Sequence, residues 1–106
     1  MEVQLQELKQ ELVRMTDLNL ETYDALPELE GALAVYINNL ILHNFNRLIQ
    51  LLYRIDVSEP KVKLMLKENP DKDAGLIIAR LIIERQLKKI ETRKQFGDGQ
   101  SEEEKW

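Results

Sequence analysis

The chain has 106 residues, is 43% apolar and 32% charged, and carries a formal net charge of −4. That length suits one small domain. The absence of cysteine excludes disulfides, thiolate nucleophiles and cysteine-based zinc or iron–sulfur sites.

No basic N-terminal region leads into an apolar run, and no apolar segment approaches the length that spans a bilayer. The expectation is a soluble, cytoplasmic protein with no membrane contact. Only 3 prolines and 4 glycines punctuate the chain, which favours long helices over many short strands.

The first segment, "EVQLQELKQELVRMT", places Leu5, Leu8, Leu12 and Met15 at alternating steps of three and four. That is a narrow seam on an amphipathic helix. The acidic stretch "DLNLETYDALPELEG" loses the period and reads as a connection, with Pro27 suited to the first turn of the next helix.

A second helix is expected from about Glu28 to Ile55, since no proline interrupts it. On a wheel of about 100° per residue, Tyr36, Asn39, His43, Asn46, Arg47, Gln50 and Arg54 share an arc about 100° wide. His43, the sole histidine, sits near its middle. Asn39, His43 and Arg47 form a candidate exposed binding face, against the plainer reading of a wet helix face.

The other arc of this helix is apolar over roughly 220°, whereas a helix packed on one side needs a stripe of about 100° or somewhat more. Cover from two directions is therefore expected. Asn38 and Asn44 interrupt the arc, and each needs hydrogen-bond partners if buried. Asn44 is the candidate for fixing register or oligomeric state.

"DVSEP" ends this helix, and Ser58 is the expected cap of a short third helix with Val62, Met65 and Leu66 inward. "NPDKD" breaks the chain again, with Asp73 as the cap of a fourth helix ending near Phe96, before Gly97. "LIIARLII" in that helix is apolar almost all round except at Arg80; beyond Glu84 the stripe narrows to Leu87 and Ile90. The tail over 97–106, with Trp106, is acidic and polar and reads as disordered.

The opening 30 residues carry eight acids and two bases, and 80–94 carry six bases and two acids. Helix complementarity and the helix dipole account for this distribution. The alternative is a nucleic-acid patch of Arg85, Lys88, Lys89, Arg93 and Lys94, disfavoured by the acidic whole.

Asn69, Asp71 and Asp73 start like a calcium loop, but Ala74 replaces the needed glycine and Arg80 the needed glutamate. No glycine-rich phosphate loop, paired-histidine zinc motif or supported serine nucleophile is present. No cofactor and no metal are expected. A helix-turn-helix reading fails because "AGLIIARLII" stands where base-reading polar residues belong.

"RLIQLLYRIDVSEPKVKLML" and "LIIARLIIERQLKKIETRKQF" resemble a family of small, uncharacterised bacterial all-helical proteins with an "LLYRIDVSE" segment followed by "LIIERQ". The likeness spans roughly residues 36–96. It implies a bacterial cytoplasmic protein and carries over no activity, cofactor or functional residue.

The expected fold is thus an all-α bundle of two long and two shorter helices over residues 1–96, completed by homodimerisation. Leu40, Asn44, Leu48, Leu51, Ile78 and Ile82 are the candidate interface. The expected function is a non-catalytic structural or protein-interaction module, its partner a second copy or another protein. The alternatives are a nucleic-acid-associated regulator and an enzyme with its site at the subunit junction.

Overall fold

The computed structural model describes residues 2–16, 18–20 and 22–96, with side chains over 5–94 of that span. All regular structure among them is helical: α1 Glu2–Met15, α2 Leu26–His43, α3 Phe45–Ile55, α4 Glu59–Glu68 and α5 Ala74–Phe96. The tail expected over 97–106 lies outside the described residues.

α5 is the hub. Its widest contact is with α2, and α1, α3 and α4 also rest on it. The reason is its apolar circumference: Ile77, Ile78, Ala79, Leu81, Ile82 and Ile83 are all buried. Each large aliphatic side chain so buried contributes about 1.5–3 kcal/mol. Arg80 leaves that girdle and meets Glu30 of α2 at 3.4 Å.

α1 follows its seam. Leu8 and Leu12 are fully buried, and Leu5 and Met15 pack at the margin of the core. Thr16 then closes the helix: its Oγ1 donates to the Leu12 carbonyl at 2.7 Å and accepts from the Leu18 N–H at 3.2 Å. Gln86 is buried and donates through Nε2 to Met15 Sδ at 3.1 Å, joining α5 to the end of α1.

The caps fall where the sequence places them. Ser58 Oγ accepts from the Lys61 N–H at 3.4 Å, and Asp73 Oδ2 accepts from the Leu76 N–H at 2.9 Å. Each satisfies a backbone donor that the first helical turn leaves unpaired. Pro27 and Pro60 stand in the first turns of α2 and α4, as their missing N–H allows. At the end of α4, Asn69 Nδ2 donates to the Met65 carbonyl at 2.9 Å.

The continuous helix expected to Ile55 is instead two. The chain breaks at Asn44, with φ −157° and ψ 69°. The Asn44 side chain accepts from the Arg47 N–H at 3.2 Å, which makes it the N-cap of α3. Asn44 is exposed, so it is a local cap and not a buried register residue. The break lets α3 fold onto α5, burying Leu48, Leu51 and Ile55.

The proposed interface set requires a correction. Leu40, Leu48, Leu51, Ile78 and Ile82 are 7%, 1%, 5%, 3% and 0% exposed within a single chain. They form this chain's own core, and a second copy is not needed to cover them. The large apolar residues of α2 and α3 that stay exposed are Val35, Leu42, Phe45 and Tyr53.

Candidate functional site: an apolar groove between two short helices

α3 and α4 both rest on α5 and scarcely touch one another. Between them runs a groove of about 400 Å³. Its α3 wall is Phe45, Leu48, Ile49, Leu52 and Tyr53; its α4 wall is Glu59, Val62, Lys63 and Leu66. Ile41, Val57, Ala74 and Ile78 complete it.

The wall on α3 follows from the helical period. Leu48, Leu51 and Ile55 form the buried edge. Phe45, Ile49, Leu52 and Tyr53, at steps of four, three and one, form a second apolar edge beside it. Phe45 is 56% exposed and Tyr53 74%. Burying such aromatic side chains is worth several kcal/mol in all, which this fold leaves unrealised.

The end of α3 shapes one mouth of the groove. Asp56 adopts the left-handed conformation, φ 70° and ψ 44°. Its N–H donates to the Tyr53 carbonyl at 3.2 Å and the Val57 N–H to the Leu52 carbonyl at 3.0 Å. This is a Schellman closure with aspartate where glycine is usual, and it brings Val57 to the groove. The α4 rim carries an ion pair, Lys63 with Glu59 at 3.2 Å, that leaves its charge balanced.

A second crevice, about 680 Å³, lies between the α3–α4 connection and α5. Charged residues are paired across it: Arg85 meets Asp56 at 3.1 Å and Lys61 meets Glu84 at 3.5 Å. Lys88 and Glu91 also line it. A third, about 630 Å³, runs along α1 past Gln6, Gln10, Glu11 and Arg14 to Asp24.

The five cations expected as a basic patch are thus partly committed. Arg85 is held by Asp56, and Lys94 meets Glu7 of α1 at 3.0 Å. Burial, then the neighbouring Arg85, lowers the Lys89 pKa, against the opposing pull of Asp56 and Glu11. Lys88 and Arg93 are exposed. The arrangement offers two open cations with acids interleaved, not a continuous positive stripe.

Asn39, His43 and Arg47 are all exposed, but the break at Asn44 separates Arg47 from the other two. His43 lines none of the three grooves. Among the described residues there is no group of three or more histidines, aspartates and glutamates placed to hold a metal ion. No helix among them is long and apolar enough to cross a membrane.

Nothing in the sequence singles out Phe45, Ile49 or Leu52, whereas Tyr53 reads there as a residue at the margin of the apolar arc whose hydroxyl reaches water or a partner. They lay within the 220° arc, but nothing local told which part of that arc the fold would leave uncovered. Compared with protein-family models, with curated proteins and with solved structures, the chain matches none.

Proposed function

We propose that the chain is a non-catalytic assembly module that pairs with a second copy of itself through the apolar edge of α3. The observation that carries this is the exposed pair Phe45 and Tyr53, joined along the groove by half-buried Ile49 and Leu52. A homodimer puts each residue of a patch near the same patch of its twin, so a self-pairing face must tolerate its own charges. The α3 wall has no charged side chain, and the one ion pair on the opposite rim is neutral as a unit. Self-approach therefore meets no like-charge repulsion at the groove.

Size-exclusion chromatography with light scattering, from micromolar to millimolar protein, tests this. The expected result is a dimer whose population rises across that range. Tyr53→Glu, at a site 74% exposed in the single chain, should shift the population to monomer without loss of helicity. A monomeric mass for the unaltered chain at every concentration would overturn the reading.

A further inference from the structure

Val35, Leu42, Phe45 and Tyr53 are 64%, 76%, 56% and 74% exposed. The break at Asn44 divides them between α2 and α3. On an unbroken helix of about 100° per residue, these four and Ile49 would share one stripe about 80° wide. The buried residues of both segments, Leu33, Ile37, Leu40, Leu48, Leu51 and Ile55, would share a second arc beside it. The exposed large apolar residues of α2 and α3 become one seam only if the helix is straight; Val13 of α1 and Leu64 of α4 stay outside it.

Little in the chain opposes straightening. No proline or glycine lies between Gly31 and Pro60. The Asn44 N–H keeps its helical bond to the Leu40 carbonyl at 2.8 Å, and the Leu48 N–H still donates to the Asn44 carbonyl at 3.4 Å. The turn is one residue wide and is held by the Asn44 cap and by the seat of α3 on α5.

We infer that two copies of this chain exchange halves about Asn44. In the exchanged dimer α2 and α3 are one helix over residues 26–55, and α1 and α2 of each copy pack on α5 of the other. The ties between the halves survive: Asn38 with Asp73, Glu30 with Arg80 and Glu7 with Lys94 re-form between copies. The gains are the helical hydrogen bonds that the break forgoes and burial of the seam against its twin. Since only about two thirds of each of Val35, Leu42, Phe45 and Tyr53 is exposed, the seam offers roughly 500 Å² per copy, so two copies come to about 1,000 Å², the threshold of a biological interface. No charged residue of α2 or α3 lies on the seam; its one polar member, Asn38, keeps its amide on the Asp73 carboxylate.

This inference rests on the self-association proposed above and adds the route. The test uses the chain's freedom from cysteine. Glu30→Cys with Arg80→Cys places one thiol on each half, where the native side chains meet at 3.4 Å. Bridging with a short bismaleimide should give a product of twice the chain mass on a denaturing gel from the dimer fraction. A dimer whose bridged product stays at single mass overturns the exchange and leaves self-association standing; no dimer at all overturns both. Independently, Asn44→Leu removes a cap at each of two hinges and should tighten self-association about ten-fold or more, whereas Asn44→Asp should not. Equal dimerisation of the two folded variants overturns the hinge.

Discussion

The Gly75 N–H donates to Asn38 Oδ1 at 3.1 Å, tying the first turn of α5 to the middle of α2. The Asn38 amide donates in turn to both Asp73 carboxylate oxygens, at 3.1 and 3.0 Å. One asparagine thus satisfies a helix-start donor and orients the residue that caps the same helix. The two helices approach so closely here that a β-carbon on Gly75 would lie 2.5 Å from the Ala34 carbonyl oxygen.

Gly75→Ala should therefore destabilise the protein, although alanine is the better helix former. The Ala34 carbonyl belongs to a helix backbone and cannot move aside as a flexible side chain would. Overpacking of this kind costs about 1–3 kcal/mol, and the gain of about 1 kcal/mol in helix propensity offsets it only in part. A thermal melt would show a lower midpoint. An unchanged or raised midpoint would mean that α2 and α5 separate more readily than their packing implies.

Asn38→Ala and Asp73→Ala should each cost about 1–2 kcal/mol, the first by leaving the Gly75 donor unpaired, the second by removing a cap. Because the two residues share hydrogen bonds, the double variant should cost less than the two separate losses together, with a coupling of about 1 kcal/mol. Urea unfolding of the four proteins measures this. Simple additivity would show that the contact between these side chains contributes nothing.

Asp56 holds a left-handed conformation for which glycine is better suited. It also meets Arg85 at 3.1 Å, but in a pair whose side chains are 37% and 77% exposed, and such pairs are worth about 0–1 kcal/mol. Asp56→Gly should leave stability level or raise it by up to about 1 kcal/mol, while Asp56→Val should lower it by about 1–2 kcal/mol. A clear loss in the glycine variant, read by chemical unfolding, would assign Arg85 a larger role than its exposure allows.

Burial, followed by the Arg85 charge, lowers the Lys89 pKa below the usual 10.5. The folded state then binds that proton less tightly than the unfolded chain. The resulting cost is fully present below the folded pKa and is relieved as pH rises through it towards 10.5, so this residue makes stability increase with pH in that window. Lys89→Met should stabilise the protein at about pH 7, and its advantage should shrink at about pH 10.5. Melting midpoints of both proteins at the two pH values decide the matter; an advantage that grows with pH reverses the sign assigned here.

Much of this architecture is legible one residue type at a time. Leu5, Leu8, Leu12 and Met15 announce the buried edge of α1 by spacing alone. Ser58 and Asp73 announce the starts of α4 and α5 because a short side-chain oxygen serves the backbone donors of the turn that follows. The girdle of α5 is visible as an apolar run with Arg80 as its single opening. The groove is not legible in this way, because its walls come from α3 and α4, which owe their spacing to a third helix.

Asn44 marks the boundary between the two kinds of information. Asparagine inside a helix costs well under 1 kcal/mol relative to alanine, so the sequence from Leu26 to Ile55 is locally compatible with one straight helix. Seating Leu48, Leu51 and Ile55 on α5 outweighs that small preference, and the chain turns. The amino-acid sequence by itself determined the helical class and the caps at Ser58 and Asp73, since these depend on neighbours within a turn or two. Only the tertiary structure decided where the second helix breaks and which half of its apolar arc stays in water, because that choice sums contacts between residues far apart in the chain.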